Sequence, residues 1–355
     1  MRSLFRRVIV FGAGDVVHDR VHPALKNVQR EGLIERFVFI DPKPNEKLEK
    51  PLVLDDPDQY HCNADGKIPF RWLEEHRFFG DDTLVLNCTP TSYHIPIARE
   101  IAGYVGRVAV EKPLTRNPIE AAALLELEAE VHCIGHQMWK PRVRRLTERS
   151  RSKDVQWGQF SALHFGLQER IAAGNRDLDC SIFDLAWHGF EVMLAPVLAA
   201  GLPAGVSIHS SKTSTYKNGP DKPRQTTACA IDGVLHLNDQ ARVPFALRCG
   251  KGLATSSKSL VRRIGAQDEV LATLDDDGPA AAHERLIREL LIKETPNMQL
   301  GLNDVVTVVE ACAEASENAI EMPAYDFGTT PHWLEFPTVQ SVPSPHMNMN
   351  AVVRA

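Results

Sequence analysis

The sequence predicts an α/β protein of two unlike halves: a doubly wound parallel sheet first, then an α+β half with a large, mainly antiparallel open sheet. Three observations carry that prediction. Up to about residue 135, short β-rich runs alternate with helical stretches, the pattern of a parallel sheet covered on both faces. Between residues 206 and 273, β-rich runs follow one another without helical stretches, as in antiparallel sheets. The length of 355 residues suits two domains at roughly 100–200 residues each.

The elements follow in order. Residues 8–11 form a strand, then a Gly-containing turn leads into a helix carrying Ala24, Leu25, Val28 and Leu33. A second strand, 37–40, ends in Asp41-Pro42, and a third, 84–88, precedes Thr89-Pro90 and a helix over 95–102. Strand 108–110 runs into Glu111-Lys112-Pro113, followed by one long helix, 118–130, and a strand, 131–135. The second half opens with a helix over 141–150, a strand over 159–165 and an amphipathic helix over 181–198. Strands are expected at 206–209, 225–231, 234–237, 243–249, 260–264 and 269–273, then helices at 282–292 and 303–318. Domains are therefore placed at 1–135 and 136–330, with a loose Pro-rich tail at 331–355.

Composition narrows the classes. Hydrophobic residues make up 43% and charged residues 24%, near the globular average, which excludes a disordered, collagenous or coiled-coil chain. A net charge of −6 argues against a nucleic-acid surface, which needs a basic face. The seven cysteines are scattered without a C-x-x-C, so reduced thiols and a cytoplasmic location are expected. No apolar stretch is expected to span a bilayer. No metal site is expected either, because the histidines include no H-x-x-x-H and no cluster at ligand spacing.

Gly12-Ala13-Gly14 stands where a strand turns into a helix. Such glycines let the backbone approach a pyrophosphate, whose charge the helix N-terminus favours. Val17 replaces the third glycine of G-x-G-x-x-G. Asp41, at the end of the second strand, can hydrogen-bond the adenosine ribose and repel a 2′-phosphate. The first half therefore reads as a Rossmann dinucleotide-binding domain for NAD, with NADP as the alternative.

Several motifs in this order resemble the Gfo/Idh/MocA (glucose–fructose oxidoreductase / inositol dehydrogenase) superfamily. They are Gly12-Ala13-Gly14 with Pro23-Ala24-Leu25, Thr89-Pro90 with His94, Glu111-Lys112-Pro113-Leu114, and Asp184-Leu185-Ala186-Trp187-His188. The resemblance implies cofactor contacts at Gly12, Gly14, Asp15, Val16, Val17, Asp41, Thr89, Pro90, His94, Glu111 and Lys112. A second layer is similar to the glucose-6-phosphate dehydrogenase family: Phe11-Gly12-Ala13-Gly14-Asp15, His136-Gln137-Met138-Trp139-Lys140, and the strand 243–251 ending in Lys251. It implies substrate contacts at His136, Gln137, Lys140 and Lys251. Gly135 replaces the aspartate that orients the catalytic histidine in that family.

Oxidising a secondary alcohol requires a base, and His188 suits that role because its ordinary pKa lies near neutrality. Asp184 precedes it by four residues, so on an α-helix both share one face. Asp184 is therefore expected to orient the imidazole, in place of the missing aspartate, with Ser181 and Glu191 extending the polar stripe. Lys112, after a strand of the first half, is expected to hold the substrate hydroxyl electrostatically. The expected activity is NAD-dependent oxidation of a secondary or anomeric hydroxyl of a sugar phosphate. The alternatives are an unphosphorylated sugar, cyclitol or nucleotide sugar as substrate, and a non-catalytic nicotinamide-binding sensor. The family resemblance also implies a homo-oligomer, a dimer or tetramer, with no nucleic-acid or membrane partner.

Overall fold

The computed structural model describes residues 3–336 apart from 128, 172–179, 203–204, 220–224, 238–240, 255, 266, 275–278 and 293–299. Its first layer is built on β1 (Arg7–Phe11), β2 (Arg36–Asp41), β3 (Tyr60–Cys62), β4 (Gly80–Asn87), β5 (Val105–Glu111) and β6 (Glu130–Ile134). All pair in parallel in the order β3-β2-β1-β4-β5-β6. Val8–Val10, Val38–Phe39, Leu84–Leu86 and Val108–Val110 have no exposure at all. Continuous burial of this kind is why these strands read as unbroken apolar runs. Helices α1 (His22–Arg30), α2 (Phe70–Glu75), α3 (His94–Ile101) and α4 (Pro118–Ala122) complete this half.

Because every strand runs the same way, the residues after Phe11, Asp41, Asn87, Glu111 and Ile134 gather along one edge. The strand order reverses between β1 and β4, which opens a crevice at that edge. Two sequence expectations change here. The long helix over 118–130 is α4 followed by a 3₁₀ turn, Ala123–Glu126, because β6 already starts at Glu130. The short elements β3 and α2 carry too little periodicity to be read from the sequence.

The second layer follows α5 (Pro141–Arg151). Its sheet comprises β7 (Ala162–Gln168), β8 (Gly205–Ser214), β10 (Ala228–His236), β11 (Arg242–Gly250), β12 (Ser257–Ile264), β13 (Gln267–Thr273) and β14 (Ala319–Glu321). Their order is β13-β12-β7-β11-β10-β8-β14, and β9 (Tyr216–Lys217) pairs separately with β15 (Tyr325–Asp326). The β7–β11 and β8–β14 pairs are parallel and the others antiparallel. The strands expected at 225–231 and 234–237 are one strand, β10, whose register with β8 shifts at Asp232/Gly233; a bulge of this kind breaks the alternation that marks a strand.

Helices α6 (Trp187–Ala199), α7 (Pro279–Ile292) and α8 (Leu302–Glu317) complete the layer. The helical run Ile182–Ala199 reaches 18 residues at mean hydropathy 1.3, and 83% of it is buried inside the protein. It was expected to be amphipathic, but Trp187–Val197 are all buried, so this is a core helix. Although late in the chain, α7 returns to the first layer. Asn27 donates to Glu284 at 2.7 Å, Arg288 pairs with Glu31 at 2.6 Å, and Arg285 Nε donates to the Trp139 carbonyl at 2.7 Å.

The tail differs from expectation in its described part. Trp333 and Leu334 are buried, the Leu334 carbonyl accepts from Gln168 Nε2 at 3.1 Å, and Phe336 stacks on His164. The rest of the expected loose tail, 337–355, lies outside the described residues.

Candidate active site

The crevice begins at the Gly-rich turn. Gly12 has φ +90° and lies so close to β4 that a Cβ would sit 2.8 Å from the Cys88 carbonyl oxygen. Only glycine meets both conditions without strain. At Gly14 a Cβ would meet nothing within 4 Å, so the turn faces open space. Ala13 N–H and Lys43 N–H both donate to the Asp41 carboxylate, each at 2.9 Å, which ties the end of β2 to the turn. Helical backbone starts at Asp15 and passes through a π-helical turn, Val17–Val21, before α1. Val17 has no exposure; its side chain belongs to the core, and only its backbone remains for a ligand.

Two further loops complete this edge. Thr89 Oγ1 donates to Asn87 Oδ1 at 2.6 Å. His94, 1% exposed, has Nε2 2.8 Å from the Thr89 carbonyl and Nδ1 2.9 Å from that of Pro113. Its ring thus joins the Thr89-Pro90 loop to the Lys112-Pro113 loop, whose peptide is cis. Both ring nitrogens are thus engaged with backbone carbonyls. Glu111 is likewise engaged, accepting from Lys112 N–H at 3.1 Å and from His283 Nε2 at 3.2 Å.

The second layer contributes the other wall. Lys112 Nζ donates to Asp184 Oδ1 at 2.7 Å and to the Asp184 carbonyl at 2.9 Å, while Lys251 Nζ donates to Asp184 Oδ2 at 2.9 Å. One carboxylate therefore holds two ammonium groups. Burial pushes the Asp184 carboxyl up, but the two lysine charges and their hydrogen bonds outweigh it and leave the group far below the usual carboxylate range. Burial works against the Lys112 charge, yet Asp184, then Glu111 and Glu191, raise it above the ordinary lysine value.

His188 is 4% exposed and donates from Nδ1 to Glu191 Oε2 at 3.3 Å. Its Nε2 makes no hydrogen bond among the described residues. Burial, then the Lys112 charge, lowers its pKa against the pull of Glu191 and Asp184, so the imidazole is neutral at pH 7.

Asp184 was expected to orient His188, and the structure assigns that contact to Glu191. The reason is local. Ile182–Ala186 is a π-helical turn, with Trp187 N–H reaching back to the Ile182 carbonyl. A widened i→i+5 turn takes residues four apart off a common face, so Asp184 turns toward the lysines. Ser181, placed on the same stripe, instead donates to the Ala228 carbonyl at 3.0 Å.

His136 packs edge-on against His188 at 5.0 Å between ring centroids and stacks on His283 at 4.9 Å. Arg20 Nη1 donates to His136 Nε2 at 3.3 Å. Burial, then His283, His188 and Arg20, drives the His136 pKa well below its ordinary value, so this ring offers hydrogen bonds and no charge. Lys140 is buried, and Gln137 Oε1 is buried without a partner among the described residues. Among the described residues no group of three or more His, Cys, Asp or Glu side chains is placed to hold a metal ion.

No family profile matches the sequence, and no curated protein matches it either. Solved structures do match by shape. A glucose-6-phosphate dehydrogenase in complex with glucose-6-phosphate superposes at TM-score 0.63 with 17% identity, over 92% of this chain and 96% of that one. D-galactose-1-dehydrogenase from Rhizobium etli gives 0.60 and 15%, over 91% and 98%. GenD2 from gentamicin A biosynthesis, in complex with NAD, gives 0.60 and 15%, over 88% and 94%.

The chain shares the two-layer fold of these dehydrogenases. Within that fold, Gly12, Asp41, Thr89-Pro90, Lys112 and His136 come together along one edge, and Asp184, His188 and Lys251 face them from the second layer. Sequence reasoning missed Arg20 and His283, and it missed the pairing of Glu191 with His188. Arg20 meets His136 across 116 residues, and His283 meets Glu111 across 172; no local pattern encodes such contacts. Glu191 was detectable as a carboxylate one turn after His188 on an apolar helix.

Proposed function

We propose that this protein is a nicotinamide-dependent oxidoreductase that oxidises a hydroxyl of a sugar or sugar phosphate. The observation that carries the reading is the pairing of His188 and Lys112. His188 has its Nδ1 occupied by a buried carboxylate and its Nε2 without a partner among the described residues, while Lys112 is held by Asp184 at the sheet edge.

The turn fits a dinucleotide: Gly12 makes the close approach, Gly14 faces open space, and Asp41 stands at the end of β2. When bound, the nicotinamide supplies the acceptor for the hydride leaving the substrate carbon. The chain's own residues handle the proton. Neutral His188 takes it from the hydroxyl at Nε2, while Nδ1–H stays on Glu191. Lys112 Nζ, cationic and fixed, stabilises the negative charge developing on the oxygen. Asp184 holds Lys112 and Lys251 in place. The end of β2, with Asp41, supports NAD as the cofactor, with NADP as the alternative.

For the finer reading, a sugar phosphate, the supporting cation is Arg20 beside His136, because His136 is neutral and Lys251 is engaged by Asp184. That engagement favours a second reading, an unphosphorylated sugar hydrogen-bonded by His136, Gln137 and Lys251.

The test is nicotinamide absorbance with NAD and NADP across phosphorylated and free sugars. His188→Asn is expected to lower kcat by about 10²–10⁴ with cofactor binding intact. Near-normal turnover in that variant removes the proposed base. Arg20→Leu that raises KM for a phosphorylated substrate and its free analogue equally supports the second reading.

A further inference from the structure

Glu191 is 1% exposed on the most apolar helix among the described residues. Burying an ionised carboxylate is expensive unless it is paired and hydrogen-bonded, and the partner of Glu191 among the described residues is His188 Nδ1. The other carboxylate oxygen, Oε1, lies against Gly135 at the end of β6, where an added Cβ would stand 2.3 Å from it and 3.0 Å from Cδ. A side chain of any kind at 135 and the glutamate at 191 therefore compete for one volume.

We propose that Glu191 is the positioning residue for His188, fixing the Nδ1–H tautomer so that Nε2 faces the substrate, and that Gly135 exists to admit it. The tautomer does not depend on the reaction. A carboxylate accepts only, so the ring nitrogen facing it carries the proton and the other keeps its lone pair. The claim that this lone pair serves as the base rests on the function proposed above.

Glu191 also has an electrostatic effect. The charged and titratable groups facing His188 are Lys112 after β5, Asp184 in the π turn, Glu191 on α6 and His136 after β6. Lys112 disfavours the imidazolium, whereas Glu191 and Asp184 favour it. Asp184 is already shared by two lysines, so Glu191 is the carboxylate whose removal changes the ring most directly.

The test uses the full-length protein and two readouts. In ¹⁵N NMR of the histidine rings without substrate, wild type is expected to show His188 as the Nδ1–H tautomer. Glu191→Leu is expected to lose that tautomer preference, and Glu191→Gln to lower the His188 pKa by about one unit. In kinetics, Glu191→Gln moves the acidic limb of kcat/KM down by the same amount, and Glu191→Leu lowers kcat at least tenfold with little change in KM. Gly135→Ala reproduces the Glu191→Leu spectrum, whereas Gly135→Asp combined with Glu191→Ala restores the Nδ1–H signal by bringing a carboxylate from the other side.

A His188 tautomer and pKa unchanged in both Glu191 variants overturns the proposal, whatever the activity. If the tautomer follows Glu191 while His188→Asn still turns over normally, the function reading fails and the positioning of the ring stands. Circular dichroism identifies a variant that fails to fold, and the isosteric Glu191→Gln then carries the test.

Discussion

Asp184→Ala removes the one anion between Lys112 and Lys251. The three side chains are only 14–18% exposed, so solvent screens the loss weakly. Breaking a buried ion pair by deleting one partner costs about 3–5 kcal/mol, because an uncompensated charge stays behind. Here two ammonium groups are left facing each other, which places the expected loss at the upper end of that range. Asp184→Asn keeps one oxygen acceptor for an ammonium, a bond worth about 1.5–3 kcal/mol, so it loses less.

The pH dependence follows from the two shifts. The folded Asp184 pKa is depressed, so its contribution is complete above the unfolded value near 3.9 and is lost as pH falls through the folded one. The folded Lys112 pKa is raised, so its contribution is complete below the unfolded value near 10.4 and is lost as pH rises through the folded one. The gap between wild type and Asp184→Ala should be flat from about pH 5 to 9 and close outside that window. Urea unfolding followed by tryptophan fluorescence measures it. A gap under about 1 kcal/mol at pH 7 would refute the reasoning, since it would mean the triad gains nothing from its burial.

Three other expectations concern the first layer. Gly12→Ala combines positive φ with a clash on Cys88, so it should cost about 1–3 kcal/mol and weaken nicotinamide binding in calorimetry; unchanged affinity would separate the turn from the cofactor. His22, buried against Phe37 and Phe39, is pushed down to about 4 by burial. It therefore favours folding fully above pH 6.5 and loses that contribution as pH falls toward 4. His22→Leu should then flatten the fall of Tm between pH 7 and 4.5, and parallel slopes for the two proteins would contradict this. Asp41→Ser frees the backbone N–H groups of Ala13 and Lys43 from a carboxylate and should shift the ratio of kcat/KM toward NADP, as paired assays with the two cofactors would show.

Much of this was legible in the sequence because it is local. A strand such as Val8–Phe11 buried on both faces must be apolar throughout, and a turn that reverses beside a neighbouring strand needs glycine at 12. Asp41 follows from its place at a strand end. The Asp184–His188 spacing was equally visible, yet it misled, because the i,i+4 rule presumes α-helical geometry and residues 182–186 are π-helical. The bulge in β10 hid a long strand for a similar reason, by breaking the alternation on which the reading depended.

The sequence by itself determined the two-layer architecture, the Gly-rich turn and the residue types along the crevice, all of which follow from patterns within a few residues. Only the tertiary structure decided which charges meet. Lys251 reaches Asp184 across 67 residues and Lys112 reaches it across 72, and Glu191 fits because Gly135, just after β6, leaves it room. Pairing of this kind is set by burial. Once folding removes water from the crevice, each ionised group must find an opposite charge or a hydrogen bond nearby, and which partner is near depends on how the two sheets pack rather than on spacing along the chain.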